Sequence, residues 1–480
     1  MKTMKTNILE NKSKKVFLFS IPKGLNIILM LLLIFEISSA ESGFSQEINF
    51  RTLPQIIVDK NNHYLKTSDG KQFIWFGDTG WKLIEKLSRE EVLLYLDTRS
   101  KQGFNIIQLV IAWSPQVTNY YGDSAFINLN PCLPAITNGA NPSNNVEYDF
   151  WDHLDFVINE ILKHGMYPAV LPTWGGAIVN GQYNQKSAKE YGVFLGKRYK
   201  NAPLVWVLGG DIPAGGFEAT WNEMANGITY GITGELDYSK VFMTYHPYGF
   251  KSSSSFWFHN AKWIDMNMQQ TGHDAFWPVY NNILADWNRL PAKPVIDAEP
   301  SYEDFPASFH DTINRISANN IRQIAYYEFF SGAAGFTYGH NNVFQFYKGS
   351  NGYFHPTKLW AESLKSPAID QLIIFKKLIE SFSLEYCKPE WEMVVTQYDE
   401  TKRVLALQGK NWAMVYTPSG KRFSIDLGKT ETSQILAKWF DPLTGQITQF
   451  DVHKTNNKFY FVPPISATHP DWVLILSMIQ

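Results

Sequence analysis

The chain has 480 residues, enough for two domains or for one large barrel with an appendage. Hydrophobic residues make up 45% of it and charged residues 18%, a balance that supplies a large core. The formal net charge of -2 argues against a nucleic-acid-binding surface, and the two cysteines offer no zinc-ligand spacing.

The chain opens on a basic stretch with Lys2, Lys5, Lys12, Lys14 and Lys15, followed by an apolar run over residues 25–35. Ser38-Ser39-Ala40 then supplies small residues for cleavage after Ala40. Residues 1–40 therefore read as an export signal, and the apolar run is too short to span a bilayer comfortably. The mature protein is expected in the periplasm or outside the cell, with no membrane insertion after signal cleavage. Export permits disulfides, yet nothing in the sequence brings Cys132 and Cys387 together, and both are expected to be free thiols.

From residue 55 onward short apolar runs alternate with helical patterns. Strands are predicted over residues 73–76, 105–112, 167–172, 204–208, 241–245, 263–268, 294–298 and 335–338. Many of these runs are continuously apolar, as strands covered on both faces are. A helix over 88–102 begins with the capping box Ser88 and Glu91 and stops at Gly103. A second, over 150–164, carries Phe150, Leu154, Val157, Ile158 and Ile161 as one stripe and stops at Gly165. Further helices fit 187–199, 221–230, 275–289, 311–325 and 356–382. Eight strands with interleaved helices give a (β/α)8 TIM barrel over residues 50–387.

Near Lys388-Pro389 the helix signal stops. Eight short strands are predicted, at 393–398, 403–407, 412–416, 423–427, 435–440, 447–452, 458–462 and 471–476. Turns fall between them at Pro418-Ser419-Gly420 and Pro442-Leu443-Thr444-Gly445. Residues 388–480 therefore read as an all-β sandwich. It is expected to pack on the barrel as a structural partner, so that deleting it costs solubility more than specificity.

In such a barrel the working groups stand where strands end at one face. The predicted strand ends carry Asp78, Trp81, Trp113, Trp174, Asp211, His246, Glu299, Tyr302 and His340. Carboxylates with aromatic faces suit a sugar site: carboxyls do the acid–base and nucleophilic work, and rings hold the sugar. Asp211 follows the apolar run Val205-Trp206-Val207-Leu208 and two glycines, and Glu299 follows Val295-Ile296-Asp297-Ala298. We assign Asp211 as general acid/base and Glu299 as nucleophile of a retaining glycosidase. Asp78, Trp81, Trp113, Trp174, His246, Tyr302 and His340 are expected to bind substrate, with His246 alternatively orienting Glu299. Asp297 is expected in the barrel interior, turned away from Glu299, and Glu328 at a helix–loop junction. No metal or organic cofactor is required, because two carboxyls suffice for the chemistry. The expected partner is an oligo- or polysaccharide.

Four segments together resemble the apiosidase-like glycoside hydrolases. They are Phe76-Gly77-Asp78-Thr79-Gly80-Trp81, Trp206-Val207-Leu208-Gly209-Gly210-Asp211, Glu299-Pro300-Ser301-Tyr302-Glu303 and Ser331-Gly332-Ala333-Ala334-Gly335-Phe336-Thr337-Tyr338-Gly339. Trp439-Phe440-Asp441-Pro442-Leu443-Thr444-Gly445 matches the C-terminal module of that family, which often bears a collagen-binding label. The resemblance covers nearly the whole mature chain. It implies a barrel followed by a β-sandwich, an Asp acid/base at Asp211 and a Glu nucleophile at Glu299. It also implies release of apiose-linked side chains from the pectin rhamnogalacturonan II. Ile212-Pro213 after the Gly-Gly-Asp departs from the polar residue usual in the family. The alternative function is a non-catalytic carbohydrate-binding or matrix-binding protein on a barrel scaffold. It predicts that Asp211 or Glu299 is buried away from the mouth or salt-bridged shut, and that there is no turnover.

Overall fold

The computed structural model describes residues 50–249, 252–310, 314–427, 434–452, 454–455 and 458–479. The export signal read over residues 1–40 lies outside them, as does the start of the helix expected from residue 311.

Eight strands build the barrel: β1 (Trp75–Thr79), β2 (Ile106–Ala112), β3 (Tyr167–Thr173), β4 (Val205–Gly209), β5 (Met243–His246), β6 (Asn267–Gln270), β7 (Val295–Asp297) and β8 (Gly335–Tyr338). Parallel ladders join them in the order β8-β1-β2-β3-β4-β5, and a separate parallel ladder joins β6 to β7. Backbone bonds close the two seams. Asp265 N–H donates to Met243 O at 2.9 Å, and Ala334 N–H donates to Val295 O at 2.8 Å. Every residue of β1 to β8 is buried, which explains why their sequences are apolar runs rather than alternations.

The helices of the outer layer are α1 (Arg89–Lys101), α2 (Phe150–Lys163), α3 (Gln185–Arg198), α4 (Glu218–Thr233), α5 (Val279–Trp287), α6 (Ala318–Phe329) and α7 (Pro367–Glu380). The Ser88–Glu91 capping box at α1 is present in both directions. Helices α3 and α4 approach closely through glycines, since a Cβ on Gly196 would stand 2.3 Å from Ile228 O.

Two strands sit later than their sequences suggested. Residues 72–73 belong instead to a small antiparallel sheet with Ile56–Val58 and Leu65–Thr67, so β1 starts at Trp75 and takes Asp78 into its ladder. Likewise β6 runs to Gln270, two residues past the predicted end.

The C-terminal region forms a six-stranded antiparallel sheet facing a three-stranded one. Val404, Ala413, Val415, Phe423, Ile425, Trp439, Phe461 and Leu474 fill the space between. The strand expected over 393–398 is mostly irregular, beginning in the 3-10 turn Trp391–Met393 and pairing through Val394 alone. This sandwich packs on α6. Tyr326 stacks on Tyr416 at 4.8 Å and 11°, and Trp391 Nε1 donates to Phe330 O at 3.2 Å. Between the two parts Arg322 forms a fork on Asp471, Nη2 to Oδ1 at 2.7 Å and Nε to Oδ2 at 2.9 Å, with both side chains fully buried.

Breaking such a buried pair leaves one charge without its partner. Arg322→Ala is expected to destabilise the protein by about 3–5 kcal/mol, read as a lowered urea midpoint. An unchanged midpoint would mean that this contact does not hold the sandwich. Burial alone would raise the pKa of Asp471, but His469 and Arg322 outweigh it and hold the carboxyl below its ordinary range. Its stabilisation is therefore present above the unfolded pKa of about 3.9 and is lost as pH falls through the folded value.

Candidate active site

The loops that leave all eight barrel strands enclose a cavity of about 670 Å³. Asp211 reaches it through an unusual turn. Gly209 and Gly210 have φ of +91° and +122°, and Asp211 itself has φ of +54°. A Cβ on Gly209 would stand 2.2 Å from His246 O, and one on Gly210 2.7 Å from the Trp174 ring. Only glycine meets both demands, and Asp tolerates the left-handed region better than most residues. The two glycines thus let the chain pass between β3 and β5 and deliver Asp211 to the cavity wall.

Glu299, two residues past β7, is buried in a ring of donors. Tyr302 donates to Oε1 at 2.6 Å, and Gln270 Nε2 donates to Oε2 at 3.0 Å. His246 Nε2 lies 3.1 Å from Oε2, and His273 Nε2 lies 3.6 Å from Oε1. His246 Nδ1 faces the Pro247 carbonyl at 3.0 Å. Both of its ring nitrogens thus lie close to oxygens. Gln270 also acts on the Asp211 carboxyl, so one amide stands near both carboxyls.

The two carboxyls are driven apart. Burial and then the Glu299 charge raise Asp211 above its ordinary value, against His246, Gln270 and the Gly249 N–H. Burial also works to raise Glu299, but hydrogen bonds and charge from His246 and His273 outweigh it and hold this carboxyl well below the usual range.

Trp81, Trp113, Trp174 and Tyr302 line the cavity with Asp211 and Glu299. Trp113 and Trp174 lie 4.4 Å apart, and Trp81 Nε1 donates to the Tyr302 hydroxyl at 2.9 Å. The other three residues expected to bind substrate stand elsewhere. His246 is fully buried behind Glu299, between Trp81 and Trp174, and contacts the carboxyl rather than the cavity. Asp78, inside the β1 ladder, points at α1: it pairs with Arg99 Nε at 2.6 Å and accepts from Tyr95 at 2.6 Å. His340 is buried, its Nδ1 accepting from Asn342 N–H, and burial with Arg99 nearby pushes it down to about 3.

A family model for the apiosidase-like catalytic domain matches residues 59–385. The chain belongs to the apiosidase-like glycoside hydrolases. A second model, of a collagen-binding domain of a collagenase, matches residues 389–477 of this apiosidase-like protein. Among solved structures, one described as a glycoside hydrolase is 30% identical, with a TM-score of 0.80 over 88% of this chain and 97% of that one. A glycoside hydrolase family 5 structure from Bacteroides vulgatus ATCC 8482 is 29% identical, with a TM-score of 0.80 over 88% of this chain and 93% of that one. No functionally curated protein matches.

Several wall residues of this apiosidase-like site escape a sequence reading. Gln270 ends β6 and His273 lies just past it, and the sequence places the end of that strand too early. Phe305, Phe309, Tyr353 and Phe354 lie in loops without periodicity, yet they line the cavity. Lys82 stands there too, 4.9 Å from the Tyr353 ring and 5.6 Å from that of Trp113. Asp297 is buried, as expected, but it faces the helix layer rather than the ring interior, because it contacts Glu328 of α6. Cys132 and Cys387 are both free. Among the described residues no group of three or more His, Cys, Asp or Glu is arranged to hold a metal ion.

Proposed function

We propose that the chain is an exported retaining glycosidase acting on a plant pectic side chain of the rhamnogalacturonan II type, with apiose as the favoured leaving sugar. The observation that carries the mechanism is Gln270. Its amide donates to Glu299 and acts on Asp211, and the Glu299 charge acts on Asp211 as well, so the two carboxyls are near neighbours across one side chain. That favours the short spacing of retaining enzymes, about 5–5.5 Å, over the roughly 6.5–9.5 Å that leaves room for an attacking water. Opposite shifts complete the assignment: the raised Asp211 keeps a proton to give, and the lowered Glu299 stays ionised to attack. The substrate class rests on the family description and the aromatic cavity, and export rests on the leader sequence.

The test is release of sugar from a panel of pectic oligosaccharides, with the anomer of the first product followed by NMR. Retention on an apiose-bearing oligosaccharide is expected. Inversion would overturn the mechanism, and cleavage of other glycans alone would overturn the apiose assignment.

Tyr302 gives a smaller prediction. Its hydroxyl donates to an ionised carboxyl, a bond worth about 1.5–3 kcal/mol. Tyr302→Phe is expected to lower kcat by roughly 10- to 100-fold. It should also move the acidic limb of the pH profile upward, since Glu299 loses a donor that favours its charged form. An unmoved acidic limb would remove Tyr302 from the site.

A further inference from the structure

Behind Glu299 lies a second carboxyl pair that the acid and nucleophile assignments leave unused. Asp297 ends β7 and Glu328 sits in the last turn of α6, and both are fully buried. Both oxygens of Asp297 hold donors: Oδ1 accepts the backbone N–H of Glu299 at 3.1 Å, and Oδ2 accepts the Thr271 hydroxyl at 2.5 Å. Among the described residues neither oxygen of Glu328 meets a donor, and the polar group that acts on it is the Asp297 carboxyl. Two carboxylates are acceptors only, so this contact requires a proton between them. The donor count decides where it resides. Asp297, with two donors, is suited to carry the charge, and Glu328, with none, to carry the proton.

We propose that Glu328 is a neutral carboxylic acid that donates its proton to Asp297 and thereby positions Glu299. The Asp297 carboxyl accepts the N–H two residues on, a turn that bends the chain out of the strand. Glu328 supplies a third donor that fixes the carboxyl making this turn. Burial keeps the Glu328 proton in place, raising the group well above its ordinary range. Burial also raises Asp297, to about 7, against the donors from Thr271 and Glu299. Thr271, Glu299 and the pair itself are the polar groups that act on it; no Lys, Arg or His among the described residues ion-pairs with either carboxyl. Glu328 is a positioning residue, and its role rests on Glu299 being the nucleophile.

The first measurement does not depend on that reading. Infrared difference spectra at neutral pH, wild type minus Glu328→Gln, are expected to show the C=O stretch of a protonated carboxylic acid lost in the variant. No such loss would overturn the proposal even if the protein is an active glycosidase. A loss seen in a protein without glycosidase activity would leave the neutral acid standing and overturn only its link to catalysis. Kinetics then test the positioning. Glu328→Gln retains a donor and should stay within about threefold of wild type, whereas Glu328→Leu should lower kcat about tenfold with KM little changed. Equal losses in two folded variants, or wild-type turnover in Glu328→Leu, would remove the positioning role. Should Glu328→Leu fail to fold, the spectrum and the Glu328→Gln turnover still decide.

Discussion

Replacing Glu299 by Gln is expected to lower turnover by on the order of 10⁴-fold or more, because the variant has no nucleophile and no second group to replace it. KM should change far less, since the amide keeps the shape that Tyr302, Gln270 and the two histidines surround. At least one of those contacts turns unfavourable, however. An amide has one acceptor and one donor end, whereas Glu299 receives Tyr302 on one oxygen and Gln270 on the other. The end that becomes NH₂ faces a donor already in place. Some destabilisation therefore accompanies the loss of activity, and a thermal melt should be run beside the kinetics. The positive check is covalent capture. A slow fluoro-sugar substrate should load wild-type protein by one glycosyl unit, and peptide mapping should place it on Glu299. Loading elsewhere, or an active Glu299→Gln enzyme, would overturn the nucleophile assignment.

Asp211→Asn is expected to cost about 10²–10⁴-fold on natural glycans, the usual range for loss of a general acid. The deficit should shrink for aryl glycosides whose leaving group needs no proton. Release of the first product should then show a burst, because the second step still lacks its base. The pH profile gives an independent reading. Activity needs Asp211 protonated and Glu299 ionised. The raised Asp211 therefore sets the basic limb, where activity falls as pH rises through its value, and the lowered Glu299 sets the acidic limb. In Asp211→Asn the basic limb should vanish while the acidic limb stays. Persistence of the basic limb would assign it to another group.

Much of the barrel is legible in the sequence because its signals are local. Ser88 with Glu91 marks a helix start by mutual capping, and continuous apolar runs mark strands buried on both faces. Glu299 follows such a run directly and Asp211 follows one after two glycines, so the strand-end rule points to both. It fails where a boundary is set by pairing rather than by composition. Residues 72–73 look like the start of β1 but pair with the small entry sheet, and the resulting shift takes Asp78 from a supposed strand end into the ladder. At β6 the polar ending Gln269-Gln270 hides the last ladder residues, and with them Gln270 and His273. Glu328 looks like an ordinary charged residue near a helix end. Only the packing of α6 against β7 shows that water is absent around it.

The turn at residues 209–211 bears on how this enzyme can be re-engineered. It is interlocked with neighbouring loops: Gly209 lies against the His246 carbonyl, Gly210 against Trp174, and a Cβ on Gly249 would come 3.3 Å from Asp211 Oδ1. Library designs that exchange the loop after β4 while keeping those after β3 and β5 should mostly yield collisions. The three loops form one heritable cassette. Changes in sugar preference are better sought elsewhere in the lining, at Phe309, Tyr353 and Phe354, which are open to solvent and lie outside that turn.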